Sequence, residues 1–152
     1  MTKVLLSIHV LAAIIAIGPV TIAASMFPAA TRHALAAPDR DPAVLRTLHR
    51  ICRVYAVAGI AVPVFGLATA SGLGVLGDTW LILSIVLTAV AAAVLTLLVL
   101  PRQNAVLTGL AAHEEPDRKA PARLAMYTGM FNLLWAAVTV LMIVRPGSTT
   151  GA

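Results

Sequence analysis

His9 is the side chain of this sequence with the greatest potential for chemistry, because it lies inside an apolar run from Val4 to Phe27. An ionisable group is costly to place in a bilayer, so its presence there suggests a function. An imidazole nitrogen can bind haem iron or copper, and it can also carry a proton or contact a substrate. A neutral imidazole can equally hold two helices together through a hydrogen bond. All three roles are open for His9.

The residues that share the predicted depth of His9 bear on the choice between these roles. They are hydroxyls and one thioether on the other apolar runs: Thr69, Ser71, Ser84, Thr139 and Met142. A histidine and a methionine can hold haem b, or a copper ion with further ligands, so His9 and Met142 are the candidate cofactor-binding residues. The structural alternative is a hydrogen bond from His9 to one of the hydroxyls. The other histidines fall in predicted cytoplasmic loops, most of a bilayer away from His9: His33, His49 and His113.

Three other polar features have weaker chemical potential. One group of loop residues has the donor types of a divalent-ion site: His113, Glu114, Glu115 and Asp117. The adjacent proline and arginine are instead typical of a solvated loop, so no metal site is predicted. Asn132, in the last apolar run, needs a partner in hydrocarbon and is predicted to bridge helices. The single cysteine, Cys52, is predicted to be a small apolar contact, and no catalytic residue can be assigned.

Four apolar runs must position these side chains, and each is long enough for a helix to cross about 30 Å of hydrocarbon. They cover residues 4–27, 54–73, 80–100 and 124–144. With 60% hydrophobic and 11% charged residues, the chain has more apolar surface than a soluble domain of this size can bury. The sequence therefore predicts an all-α protein, a single four-transmembrane-helix bundle over residues 1–146 that is followed by a short polar tail, 147–152.

The basic residues predict the orientation of the bundle. Nine of the eleven Lys and Arg residues lie in two stretches, 32–53 and 102–123, which separate apolar runs. Loops rich in Lys and Arg stay on the cytoplasmic side of a membrane. Loops 28–53 and 101–123 are therefore predicted to be cytoplasmic, and both termini are predicted to lie on the outer side of the cell (inner) membrane. The net charge of +5 then reflects topology and anionic lipid, and no nucleic-acid partner is predicted. A competing interpretation takes residues 1–30 as a cleaved signal peptide, which would leave three spans.

The two basic loops resemble each other, since both contain Leu-Ala-Ala and Pro-Asp-Arg. This similarity favours two tandem helical hairpins, although chance resemblance is the alternative in a chain rich in Ala, Pro and Arg. Asp41 followed by Pro42 predicts a helix start, and Pro121 predicts another after the second basic loop. The second helix should then run from about Pro42 to Leu73, with any bend near Pro63.

Several short stretches resemble the CopD-like group of small membrane proteins: Leu5 to Leu11, Gly18, Met26 to Ala34, and Met142 to Pro146. Within that group the chain is most similar to a family of integral membrane proteins of unknown function. It is also similar to HemJ-type protoporphyrinogen oxidases, which share a first-span histidine and a proline followed by Arg and His. The resemblance implies haem or copper handling. The stretch from Trp80 to Ser84 lacks the third-span lysine of the HemJ type, which argues against that oxidation, and residues 99–104 resemble anthrone-oxygenase-like proteins more faintly.

Two functions from different classes are predicted. The first is a non-catalytic membrane bundle, either an accessory subunit or a small-ligand binder. The alternative is a haem- or copper-handling membrane protein, or a membrane oxidoreductase, that uses His9. The lipid bilayer is the predicted partner. Faces of small residues, such as those of Gly59 and Gly66, are predicted to pack helices within one subunit, against a second copy or against another membrane subunit.

Overall fold

A computed structural model describes residues 2–36, 41–115 and 117–147. These residues form α1 (Thr2–Ala36), α2 (Ala43–Ala58), α3 (Ala61–Leu73), α4 (Thr79–Ala93), a π-helical segment (Val94–Val99), α5 (Leu100–Ala111) and α6 (Ala120–Val144). The described ranges contain no β-strand, so the all-α prediction is confirmed. Residues 148–152 of the predicted polar tail lie outside the described residues.

Four helical stretches are long and apolar enough to cross a membrane: Thr2–Ala36, Ala43–Leu73, Thr79–Ala111 and Ala120–Val144. They confirm the predicted number of spans, four. The stretches extend past the apolar runs because the flanking segments are rich in Ala, Leu and Arg, which are good helix formers. Large aliphatic side chains such as Ile14, Leu133 and Ile143 are exposed, as suits a protein whose solvent is lipid.

The helices pack as two hairpins side by side. α1 packs against α2 and α3, whereas α4 and the π-helical segment pack against α6. Contacts of α1 with α6 and of α2 with α5 join the two hairpins. The main core receives buried side chains from every span, among them Val20, Phe27, Leu45, Val99 and Leu124.

Both basic segments lie at the same end of the bundle. Thr31, near the end of α1, lines the same cavity as Arg102 of α5 and Arg123 of α6. The start of α2 is there too, because His49 of α2 is hydrogen-bonded to Gln103 of α5. We refer to this end, which carries the arginines of α2, α5 and the start of α6, as the basic end.

The two helices that follow the basic loops begin with the same local hydrogen bond. The Asp41 carboxylate accepts from the N–H of Ala43 at 2.9 Å, and the Asp117 carboxylate accepts from the N–H of Lys119 at 2.9 Å. Such a bond satisfies one of the free N–H groups at a helix start. The predicted helix starts are confirmed to within one residue, since Pro42 is the N-cap of α2 and Pro121 is the second residue of α6.

The second span covers Ala43–Leu73, which confirms its predicted start and end. It is not one regular α-helix, however, because a tighter turn separates α2 from α3. Pro63 explains the turn, since it has no N–H to donate to the carbonyl of Gly59. The N–H of Val62 donates to that carbonyl instead, at 3.1 Å. The effect of the proline therefore appears one turn before the proline itself.

The third span contains an element that the sequence did not predict, the π-helical segment Val94–Val99. Pro101 lies two residues after its end and has no N–H to donate back to this segment. Gln103, a fully buried amide, lies one turn further along. A π-turn is wider than an α-turn, so it changes which side chains of the following helix face the bundle.

Candidate functional site

The buried polar side chains of the described residues are few: His9, Thr31, His49, Thr69, Ser84, Gln103 and Thr128. The hydroxyls of Thr31, Thr69 and Ser84 donate to carbonyls four residues earlier in their own helices, at 2.7 to 2.9 Å. Thr128 donates to the carbonyl of Ala24 on α1 at 3.5 Å, and the two histidines and the glutamine also bond to a different helix from their own. Of these four, the histidines and the glutamine have both donor and acceptor groups, on separate atoms, that could bind a ligand.

The imidazole of His9 ties α1 to α3. Its Nδ1–H donates to the backbone carbonyl of Val62 at 2.9 Å, and the side chain is buried. A carbonyl can only accept, so the neutral ring carries its proton on Nδ1 and keeps a lone pair on Nε2. The interior position predicted for His9 is confirmed. The predicted hydroxyl partner is wrong, because the acceptor is backbone and the hydroxyls of Thr69 and Ser84 bond within their own helices.

Gly66 makes room for this histidine. A β-carbon at position 66 would lie 2.9 Å from Cε1 of His9 and 3.1 Å from Nδ1. Carbon atoms in contact prefer about 3.5 to 4.0 Å, so any side chain at this position would displace the ring. The predicted small-residue face of α3 is therefore a specific seat for one imidazole, which we call the Gly66 seat.

Met142, the predicted second ligand, lies in the last turn of α6. Its carbonyl accepts a hydrogen bond from Nε of Arg145 at 3.2 Å, and the guanidinium of Arg145 lies 5.4 Å from the ring centre of Trp80. The contacts that fix His9 are with α3, so the pairing of His9 with Met142 stays a prediction. Over the described ranges, no group of three or more His, Cys, Asp or Glu side chains is arranged to hold a metal ion.

A second buried histidine belongs to a polar cluster at the basic end. The Nδ1–H of His49 donates to Oε1 of Gln103 at 3.0 Å, and Nε2 of Gln103 donates to Sγ of Cys52 at 3.6 Å. Gln103 and Cys52 are fully buried, and His49 is nearly so. One amide thus uses its acceptor and its donor to join two turns of α2 to α5. We call these three residues the α2–α5 cluster.

The α2–α5 cluster corrects the predictions for two of its members. His49 lies on the buried face of α2 and not in a cytoplasmic loop, and Cys52 has a polar contact besides its apolar ones. One signal was available in the sequence, because Leu45, Leu48, His49 and Cys52 follow the spacing of a single helix face. A histidine on an apolar face needs a polar partner. Gln103 could not be identified as that partner, because its direction depends on the π-helical segment before it.

Two cavities at the basic end differ in charge. The first, of about 300 Å³, is lined by residues of both signs, including Arg102, Glu114, Asp117 and Arg123. The second, of about 340 Å³, lies between α2 and α5, and we call it the basic groove. Its lining residues are Arg46, His49, Arg50, Arg53, Val54, Val57 and Leu107.

Two arginines of the first cavity already have partners within the protein. Arg123 lies 3.6 Å from the carboxylate of Asp117, and the guanidinium of Arg102 lies 4.4 Å from the ring centre of Tyr127. The carboxylates of this cavity belong to an exposed loop, which confirms the predicted solvated loop. Its exposed residues are His113, Glu114, Glu115 and Asp117.

Asn132 bridges two spans, as predicted. Its Nδ2 donates to Oγ of Ser25 on α1 at 3.1 Å. Its Oδ1 is buried and is the one enclosed side-chain oxygen or nitrogen of the described residues that has no hydrogen-bond partner. The residue therefore joins two helices through its amide N–H alone.

These observations define a class of protein, a helical integral membrane protein whose four spans are joined by buried polar contacts. The model of a family described as predicted integral membrane protein (DUF2269) matches residues 3–146. The chain belongs to this family, whose function is unknown. No curated protein and no solved structure matches the chain. Membership agrees with the resemblance to integral membrane proteins of unknown function.

Proposed function

We propose that the protein is a non-catalytic accessory bundle of the cell membrane, in which buried polar side chains fix the packing of the helices. The observation that supports this proposal is that both buried histidines are engaged through Nδ1, His9 with the Val62 carbonyl and His49 with the Gln103 amide. Each histidine therefore joins two helices, and this packing role accounts for its burial without a substrate.

The energetics of a membrane make such contacts valuable. Lipid removes the hydrophobic drive between helices, so packing and interhelical hydrogen bonds hold the bundle together. Each interhelical bond contributes on the order of 0.6 to 2 kcal/mol. Two such bonds hold the second span. One joins His9 of α1 to the Val62 carbonyl of α3, and the other joins His49 of α2 to Gln103 of α5.

The proposal includes an orientation, with the basic end in the cytoplasm and both termini outside. Its support is that two arginine-rich segments meet at one end, while the connection between α3 and α4, residues 74–78, has no Lys or Arg. Reporter fusions after Ala37 and Ala112 should report the cytoplasm. Fusions after Gly74 and at the C terminus should report the outside, and a cytoplasmic signal after Gly74 would contradict the orientation.

A specific observation favours a second candidate, a haem- or copper-handling protein. Nε2 of His9 keeps a lone pair while Nδ1–H is held by a carbonyl, which is the usual way in which a metal-binding histidine is oriented. To this extent the residues fit such a group, with His9 as one ligand and Met142 as the proposed sulfur ligand. The bound group would supply redox chemistry, and His9 would hold it in place.

An absorption spectrum and a metal analysis of detergent-purified protein, from cells supplied with haem and copper, separate the two candidates. We expect a colourless, metal-free protein whose His9→Gln variant still folds. A Soret band, or bound copper, that is lost in both His9→Gln and His9→Leu would overturn the accessory proposal, because neither replacement supplies an imidazole nitrogen. Met142→Leu should then weaken cofactor retention only if sulfur is the second ligand.

A further inference from the structure

We propose that the basic groove binds the phosphate headgroup of an anionic phospholipid from the leaflet at the basic end. The groove lies between α2 and α5 and has a volume of about 340 Å³. The site is independent of any cofactor at His9, because His9 is seated on α3 and does not line the groove.

Three guanidinium groups share one wall of the groove. Arg46, Arg50 and Arg53 are spaced by four and three residues, so they form a stripe about 10 Å long on one face of α2. All three are exposed, and none forms an ion pair with another described residue. Like charges at this spacing repel each other. A phosphate bound across the stripe would relieve that repulsion, and the arginine fork matches phosphate oxygens well.

The charge of the groove selects for a net negative headgroup. No acidic side chain lines it, whereas the neighbouring cavity contains Glu114, Glu115 and Asp117. The cationic amine of a zwitterionic lipid would therefore face three arginines without a carboxylate to offset them. An anionic headgroup brings no such amine charge, so it should bind better.

The remaining wall is apolar, which favours a lipid over a soluble phosphate. Val54 and Val57 of α2 and Leu107 of α5 line the groove, and the two valines are 55% and 69% exposed. A free phosphate would use the arginines alone. A phospholipid would place its phosphate on the arginines and its acyl chains along the valines, so it accounts for both halves of the lining.

His49 offers the groove one hydrogen-bond acceptor. The α2–α5 cluster holds its Nδ1–H on Gln103, so Nε2 is an acceptor on a side chain that lines the groove. A headgroup hydroxyl can donate to this nitrogen. Phosphatidylglycerol combines one negative charge with headgroup hydroxyls, and it is therefore the probe for the test.

The test is native mass spectrometry of the delipidated full chain in detergent, titrated with phosphatidylglycerol or with phosphatidylcholine of the same acyl chains. We expect tighter binding of phosphatidylglycerol. Arg50→Gln and Arg53→Gln should each weaken it about fivefold, which corresponds to one basic residue at an anionic surface. Arg32→Gln is the matched control, because Arg32 is exposed near the same end but outside the groove. It should leave binding unchanged.

Three results would overturn the proposal. Equal binding of the two lipids would remove the charge selectivity. Equal losses in Arg32→Gln and Arg50→Gln would indicate a diffuse basic surface instead of a site. Displacement of phosphatidylglycerol by inorganic phosphate would indicate a soluble-phosphate site. The lipid comparison and the phosphate competition use the unmutated protein, so they decide the matter even if circular dichroism shows that a variant fails to fold.

Discussion

The two buried histidines are equally enclosed but bond to different kinds of acceptor. Each is 8% exposed, and each donates from Nδ1 to a second helix. His9 bonds to a backbone carbonyl, which is present whatever residue occupies position 62. His49 bonds to a side-chain amide, which exists only because residue 103 is glutamine. The first contact therefore depends on the shape of α3, and the second depends on one residue in another span.

This difference predicts where each contact is vulnerable. For His9 the sensitive partner is Gly66, because the ring has no space if that position carries a side chain. For His49 the sensitive partner is Gln103, because its loss leaves a buried donor without an acceptor. Removing His9 itself should cost less, since the carbonyl that it leaves behind still belongs to a helix.

The largest expected effect is that of Gly66→Val. The added side chain would occupy the space of the His9 ring, and overpacking of this kind costs up to about 3 kcal/mol of the free energy of unfolding. Unfolding in detergent, followed by circular dichroism, measures the loss.

Gly129→Val is the matched control for this change. Gly129 also lies within a helix, but a β-carbon there would meet no atom within 4 Å. Both substitutions change helix propensity in the same way. The additional loss of unfolding free energy in Gly66→Val therefore measures the clash with His9 at the Gly66 seat. A second change, His9→Ala in the Gly66→Val background, should recover part of the stability. Equal costs for the two valine variants would contradict the seat.

Gln103→Leu should have the next largest effect, about 2 kcal/mol, because the Nδ1–H of His49 and the thiol of Cys52 both lose their partner. The same unfolding measurement applies. Asn104→Leu, at an exposed position next to it on α5, should change the free energy of unfolding much less. The double variant His49→Leu with Gln103→Leu should cost less than the sum of the single variants. Additive costs would show that the two side chains are not coupled.

His9→Leu should have a smaller effect than either change above, about 0.6 kcal/mol, which is the average for one interhelical hydrogen bond in a membrane protein. His9→Gln should cost less still, because an amide N–H can donate to the same carbonyl. Both are measured by unfolding in the same detergent. If His9→Leu destabilises as much as Gln103→Leu, the contrast between the backbone and side-chain acceptors is wrong.

The sequence predicted those parts of the fold that depend on neighbouring residues. The number of spans follows from the apolar runs, because lipid accepts only segments whose backbone hydrogen bonds are satisfied locally. The start of α2 follows from Asp41 and Pro42, which lie beside the groups that they affect. The interior position of His9 follows from its place on a helix face.

Only the tertiary structure decided which polar groups meet. His9 and Val62 are 53 positions apart in the chain, and His49 and Gln103 are 54 apart. Their contact depends on how each helix is rotated, and a single π-helical segment or a proline-shifted turn changes that rotation. An apolar run is similar on all its faces. Its composition therefore predicts that a helix crosses the membrane, but it does not predict which face of that helix packs against its neighbours. The basic groove has the same origin, because its arginines come from α2 and its opposite wall comes from α5.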